Sequence, residues 1–125
     1  MLCNMLPLAI NSIPVYLASG ATDMRKSIRG LSMEVHEYFE VDLFSGAFFA
    51  FCNRSRKIIK ILFWDSNGFG LYMKRLERGC FPWPESAEDV LQITSRQFAW
   101  MLSGLDINEM KKIQKTYPHR YEFLS

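Results

Sequence analysis

Three short apolar runs in the middle of the chain restrict its possible folds more than any other feature. They span residues 47–52, 58–64 and 69–74, and each is short enough for a strand but too short for a typical helix. The connectors, Asn53-Arg54-Ser55-Arg56 and Asp65-Ser66-Asn67-Gly68, are rich in turn-forming residues, and Asn67-Gly68 in particular supplies residues that tolerate positive φ angles. An antiparallel meander is the simplest arrangement of these runs.

An amphipathic helix is predicted ahead of this meander. Apolar residues recur there at spacings of three and four, which places them on one stripe facing a core: Met24, Ile28, Leu31, Val35, Tyr38 and Phe39. Thr22 or Asp23 is the expected N-cap. Residues 13–18 are predicted to be extended and to end in the turn Ser19-Gly20.

Further elements are predicted after the meander. A fourth strand is expected over residues 78–83, ended by Pro82 and Pro84. Thr94 and Gln97 match a capping box, so a helix should begin near Ser95, with Gly104 near its C-terminal cap. The predicted fold is therefore α+β: a small antiparallel sheet of about four or five strands, packed against an N-terminal amphipathic helix, with a C-terminal helix.

The chain length of 125 residues predicts a single domain. We expect an N-terminal segment over residues 1–12, one α+β domain over residues 13–106 and a basic C-terminal tail over residues 107–125. The apolar N-terminus lacks a basic region and a cleavage site, and charged residues interrupt every apolar stretch. A soluble cytoplasmic protein without a membrane partner is expected.

The residues that bind metals or catalyse reactions are sparse and badly spaced. Cys3, Cys52 and Cys80 form no C-x-x-C pair, and His36 and His119 lie at ligand spacing from none of them. No nucleophile pattern and no phosphate-binding glycine loop occurs. We therefore expect no disulfide framework, metal, cofactor, small-molecule substrate or catalytic residue.

Charge is distributed unevenly along the chain, although the net charge is only +2. Residues 54–78 carry seven cations and two anions, whereas residues 81–109 carry five anions and one cation. This segregation predicts one basic face. Alternation along the strands would place Lys60, Tyr72 and Lys74 on an outer sheet surface able to neutralise phosphates. The alternative is an ordinary solvated face.

Several blocks resemble a known family, in the same order and with similar spacing over residues 13–106. They are Val15-Tyr16-Leu17-Ala18-Ser19-Gly20-Ala21-Thr22-Asp23-Met24-Arg25-Lys26, Asp42-Leu43-Phe44-Ser45-Gly46, Lys60-Ile61-Leu62-Phe63-Trp64-Asp65, Leu71-Tyr72-Met73-Lys74-Arg75-Leu76-Glu77-Arg78-Gly79 and Phe81-Pro82-Trp83-Pro84. The chain resembles the TnpB-type accessory proteins, the second open reading frame products of the insertion sequence 66 family of bacterial transposable elements. The resemblance implies a role in transposition beside a separate DDE transposase, and the lack of a catalytic pattern in the residues predicts that this role is non-catalytic.

Two hypotheses about the direct partner remain open from the sequence. The first is an accessory protein that binds DNA at transposon ends through a basic face made of Arg25, Lys26, Arg29, Arg54, Arg56, Lys60, Tyr72, Lys74, Arg75 and Arg78. The second is an adaptor that binds the transposase or another element-encoded protein through Trp100 and the tail cations Lys111, Lys112 and Lys115.

Overall fold

A computed structural model describes residues 13–85 and 90–103 of the chain, which form a five-stranded sheet and two helices. The strands are β1 (Val15–Ala18), β2 (Phe48–Cys52), β3 (Ile58–Asp65), β4 (Gly68–Arg75) and β5 (Val90–Ile93), and the helices are α1 (Ile28–Tyr38) and α2 (Ser95–Leu102). The class is α+β with a small sheet, as predicted. Neither of these two helices is long and apolar enough to span a membrane.

The sheet is mixed rather than wholly antiparallel. Its strand order is β4-β3-β2-β1-β5, and β2, β3 and β4 form the predicted antiparallel meander. The prediction of an entirely antiparallel sheet is wrong, because β1 pairs with β2 in parallel. Helix α1 connects these two strands and carries the chain back along the sheet, which is the usual way to join parallel neighbours.

The predicted strand over residues 78–83 is also wrong. This segment crosses one end of the sheet, where the Phe81 amide donates to the Arg56 carbonyl at 2.6 Å and the Leu76 amide donates to the Lys57 carbonyl at 2.8 Å. The fifth strand is instead β5, which the sequence reasoning did not predict and which pairs with β1 in antiparallel fashion. Strand β5 has only four residues, too few for a distinct alternation pattern.

Helix α1 begins later than the periodicity predicted. Its N-cap is Ser27, so the prediction of Thr22 or Asp23 as N-cap is wrong. The Thr22 amide donates to the Cys52 carbonyl at 2.8 Å, which ties the chain before the helix to the end of β2. Leu31 and Val35, one helical turn apart, are fully buried on the sheet.

Both faces of the sheet are covered. On one face, Phe49, Phe51 and Leu62 share a buried cluster with the apolar stripe of α1. On the other face, Ile59 and Ile61 share a cluster with the α2 residues Phe98, Met101 and Leu102. All five residues of β2 are buried, as expected of a central strand with a helix on each side.

The start of helix α2 confirms the predicted capping box. The Gln97 amide donates to the Thr94 hydroxyl at 3.1 Å, and the Thr94 amide donates to the Gln97 side-chain oxygen at 3.1 Å. Ile93 and Phe98 lie in the same buried cluster. Gly104 and the predicted tail over residues 107–125 lie outside the described residues.

The predicted turn between β3 and β4 is present, and its positive φ lies at Ser66. Ser66 has the positive φ, at 54°, whereas Gly68 already pairs with Asp65 as the first residue of β4. Asn67 and Gly68 tolerate positive φ but do not adopt it in this turn. A two-residue loop with positive φ at its first residue matches the twist of the flanking strands.

Candidate nucleic-acid interface

Three separate segments meet at one end of the sheet. The Gly20 amide donates to the Pro84 carbonyl at 3.0 Å, and Thr22 is bonded to Cys52 at the end of β2. The turn between β2 and β3 is also hydrogen-bonded to the segment after β4, because the carbonyls of Arg56 and Lys57 accept from the amides of Phe81 and Leu76. We call this region, residues 19–29, 53–57 and 75–85, the basic end.

The basic end is strongly cationic. It holds three anions, Asp23, Glu77 and Glu85, and eight cations, which are Arg25, Lys26, Arg29, Arg54, Arg56, Lys57, Arg75 and Arg78. Charges from three distant parts of the sequence therefore lie together only because the backbone segments meet. A concentration of one sign of charge at one site attracts polyanions.

Three of these cations are paired with carboxylates. The Arg25 guanidinium donates to both oxygens of Asp23, with the closest contact at 2.7 Å. Lys26 lies 3.4 Å from Glu34 on α1, and Arg56 is paired with Glu85. These pairs reduce the charge that Arg25, Lys26 and Arg56 present to a ligand.

Four other predicted arginines are exposed: Arg29, Arg54, Arg75 and Arg78. None of their side chains makes a hydrogen bond or an ion pair with any residue in the described ranges 13–85 and 90–103. Their guanidinium groups are therefore the ones best placed to bind phosphate oxygens, for which the planar guanidinium is well suited.

Lys60, Tyr72 and Lys74 do not form the predicted surface. In the β3–β4 register, Lys60 lies opposite Met73, whereas Tyr72 lies opposite Ile61 and Lys74 opposite Ile59. Directly opposed residues share a face, so Lys60 is on the α1 face while Tyr72 and Lys74 are on the α2 face. The prediction that these three residues share one face is wrong.

The ammonium groups of both lysines are engaged with backbone carbonyls. Lys60 Nζ donates to the carbonyls of Met24 at 2.7 Å and Lys26 at 3.1 Å, and Lys74 Nζ donates to the Leu102 carbonyl at 2.5 Å. Tyr72 is partly buried against the α2-face cluster. Lys60 thus holds the segment before α1, and Lys74 binds the last turn of α2.

Sequence reasoning gave no role to Lys57, which the structure places at the basic end. Its Nζ donates to the Gly79 carbonyl at 2.9 Å and its carbonyl accepts from Leu76. These bonds hold the segment that carries Arg78. No sequence signal could have revealed them, because Lys57 and Gly79 are neighbours only in the folded chain.

Asp23, at the basic end, has a pKa well below the ordinary value for an aspartate side chain. Hydrogen bonds from the Arg25 side chain and amide, with the positive charges of Arg25 and Lys26, lower the pKa of Asp23 to about 2. Asp23 is therefore ionised at neutral pH and is a partner for Arg25 rather than a general acid or base.

The buried thiol of Cys52 and the distribution of potential metal ligands bear on the site's chemistry. Burial raises the pKa of the Cys52 thiol to about 11, which keeps it protonated and a poor nucleophile at neutral pH. Within residues 13–85 and 90–103, no group of three or more His, Cys, Asp or Glu side chains could hold a metal ion.

Of the predicted partner-binding residues, Trp100 lies within the part of the chain that the structure describes. Trp100 is 5% exposed and lies under the Arg96 guanidinium, 5.3 Å from the ring centroid. Lys111, Lys112 and Lys115 lie outside the described residues. A role for these residues in binding a partner protein remains a prediction.

The fold and the site define a small α+β protein whose sheet has one strongly basic end. The family model described as IS66 Orf2 like protein matches residues 13–112, which is most of the chain. The chain belongs to this family, as its sequence blocks predicted.

Two relatives from Sinorhizobium fredii support the assignment. The chain is 36% identical to the protein y4hO over 102 residues, which cover 82% of this chain and 88% of the relative. It is 26% identical to the protein y4jC over 98 residues, which cover 78% of this chain and 84% of that relative. No solved structure shows a significant match.

Proposed function

We propose that this protein is a non-catalytic accessory factor for DNA transposition that binds duplex DNA through its basic end. The family membership indicates an accessory role in transposition. The observation that carries the DNA-binding part is the convergence of three segments at one sheet end, where Arg29, Arg54, Arg75 and Arg78 are exposed and unpaired among the described residues.

The contact is expected to be mainly with the phosphate backbone. Arg54 lies in the turn between β2 and β3, Arg75 is the last residue of β4, Arg78 follows β4 and Arg29 lies in the first turn of α1. The four arginines therefore do not line one helix. Arginines that neutralise phosphates release condensed counterions, so the affinity should fall steeply with salt. Such contacts position a protein on DNA without reading its sequence.

The salt dependence of binding tests this proposal. Full-length protein is titrated with a duplex carrying the element's terminal sequence and with a scrambled duplex of equal length. If the four unpaired arginines each neutralise one phosphate, log Kd against log salt should change with a slope of magnitude about 3.6. The double variant Arg54→Gln/Arg78→Gln should reduce that magnitude by about 1.8.

A matched control removes one cation away from the basic end. Arg96→Gln lies in the first turn of α2 and should leave the slope unchanged. The proposal would be rejected if low-salt binding were undetectable, or if Arg96→Gln and the double variant reduced the slope equally. Tighter binding to the terminal sequence than to the scrambled duplex would add base or shape recognition to the phosphate contacts.

A further inference from the structure

The end of the sheet opposite the basic end has the reverse charge. Residues 37–45, where α1 leads into β2, and residues 65–68, where β3 turns into β4, contain four acids and no lysine or arginine. The acids are Glu37, Glu40, Asp42 and Asp65, all of them exposed and none in an ion pair with another described residue. We call residues 37–45 and 65–68 the acidic end.

A cluster of three aromatic rings lies beside these acids. Phe44 is 55% exposed, and its ring meets Trp64 edge-on at 5.0 Å between centroids and Phe69 at 5.7 Å. Trp64 and Phe69 are also in contact, at 5.0 Å. The Phe44 amide donates to Asp42 Oδ1 at 3.0 Å, so the turn that presents the ring is fixed.

An apolar groove also lies along α1. It has a volume of about 540 Å³ and is lined by Ser32, Met33, His36, Glu37 and Leu43. Met33 is 61% exposed. The acidic end thus combines negative charge with exposed apolar and aromatic surface, a combination suited to arginine, which both pairs with carboxylates and stacks on aromatic rings.

The two charged ends cannot neutralise each other within one molecule. Strand β3 runs from one end to the other over eight residues, which corresponds to about 23 Å. Salt screens exposed charges beyond about 8 Å at physiological ionic strength. Arg96, the one cation of α2, lies over Trp100 on the opposite sheet face from the aromatic cluster. The basic end therefore does not neutralise the acidic end of the same molecule, and the two ends are complementary in charge.

We propose that the acidic end of one molecule binds the basic end of a second copy of this chain. The unpaired arginines Arg54 and Arg78 of one copy would meet Glu40 and Asp65 of the next, and an arginine would stack on Phe44. Two different surfaces meet in such a head-to-tail contact, so each added copy presents a fresh acidic or basic end. The contact goes beyond the proposed DNA binding: it does not require DNA, although it uses two of the same arginines, Arg54 and Arg78.

Complementary charge reversals test the contact on the full-length protein. One variant is Glu40→Lys/Asp65→Lys and the other is Arg54→Glu/Arg78→Glu, and all four side chains are exposed and make no hydrogen bond within the described residues. Sedimentation over a range of concentrations at about 50 mM salt measures self-association. Each variant alone should self-associate at least tenfold more weakly than the wild type, and an equimolar mixture should form heterodimers.

The control Gln92→Lys adds positive charge on β5, an exposed position outside both ends, and should self-associate as the wild type does. Raising the salt to about 500 mM should weaken the wild-type association. A wild type that is monomeric at every concentration overturns the proposal. So does normal self-association of Arg54→Glu/Arg78→Glu, which would show that another cationic segment occupies the acidic end. Failure of the mixture to form heterodimers overturns it as well.

Discussion

At the scale of single residues, Gly70 and Phe63 illustrate how tightly β3 and β4 are packed. The two residues lie directly opposite each other, and a Cβ added to Gly70 would lie 2.2 Å from the Phe63 ring. Nothing lies within 4 Å of a Cβ added to Gly68, two residues earlier in the same strand. Gly70 therefore provides the space that the partly buried Phe63 ring occupies.

We expect Gly70→Ala to destabilise the protein by about 1–3 kcal/mol, because the Phe63 ring must leave its position. Gly68→Ala should change stability much less and is the matched control. Urea unfolding followed by circular dichroism measures both free energies of unfolding. Equal effects of the two substitutions would show that the Phe63 ring does not depend on the absence of a side chain at Gly70.

The pair of Asp23 and Arg25 gives a prediction about pH. The pKa of Asp23 is lowered to about 2 in the folded protein, so the folded state binds fewer protons than the unfolded state over the range from about pH 4 down to pH 2. Its contribution to stability is complete above the unfolded pKa and is lost as the pH falls through that range.

Carboxyl chemical shifts followed by NMR against pH should give a pKa near 2 for Asp23 in the wild type. In Arg25→Gln the pKa should rise towards its ordinary value, because the largest cause of the shift is the hydrogen bond from the Arg25 side chain. Lys26→Gln is the control and should raise it less. An unchanged Asp23 pKa in Arg25→Gln would contradict the assigned cause.

At the scale of secondary-structure elements, the strongest local signals were the most accurate predictions. The meander β2–β3–β4 and the start of α2 follow from alternation, turn residues and a capping box, all of which act within a few residues. The start of α1 was misplaced because Met24 fits the helical stripe but lies in a turn, where Lys60 binds its carbonyl. A contact from β3 thus overrides the local pattern.

The capping box predicts a measurable loss for Thr94→Ala. This substitution removes the acceptor for the Gln97 amide and should cost about 1 kcal/mol of stability. Thr94→Ser keeps a hydroxyl at the N-cap and should lose much less. Thermal unfolding of the three proteins measures the difference, and a Thr94→Ser variant as unstable as Thr94→Ala would assign the effect to the lost methyl group instead.

At the scale of the whole molecule, the separation of charge along the strands links the two proposals. The basic end is proposed to bind DNA and also to bind the acidic end of another copy, so the two ligands compete for Arg54 and Arg78. DNA should therefore displace a neighbouring molecule from any basic end that it occupies.

Competition gives a prediction for sedimentation in the presence of DNA. A saturating short duplex should convert head-to-tail assemblies into protein–DNA complexes in which each basic end binds DNA and no longer binds a neighbouring protein molecule. The Glu40→Lys/Asp65→Lys variant keeps its basic end and should bind the same duplex with an unchanged salt slope. Growth of the assemblies on DNA without loss of the protein–protein contact would show that the two ligands use different residues.

The sequence by itself determined the α+β class, the meander, the start of α2 and the family, because each is encoded by short-range periodicity, turn chemistry or ordered blocks of residues. It also showed that cations outnumber anions between residues 54 and 78. It could not determine the parallel pairing of β1 with β2, the position of β5 or the covering of both sheet faces, since these depend on contacts between distant residues. The tertiary structure likewise decided which of the predicted cations are engaged and which are exposed. Carboxylates pair with Arg25, Lys26 and Arg56, and backbone carbonyls bind Lys60 and Lys74, whereas the side chains of Arg29, Arg54, Arg75 and Arg78 remain exposed. Only folding could decide this, because it brings distant partner groups within reach of some cations and not of others.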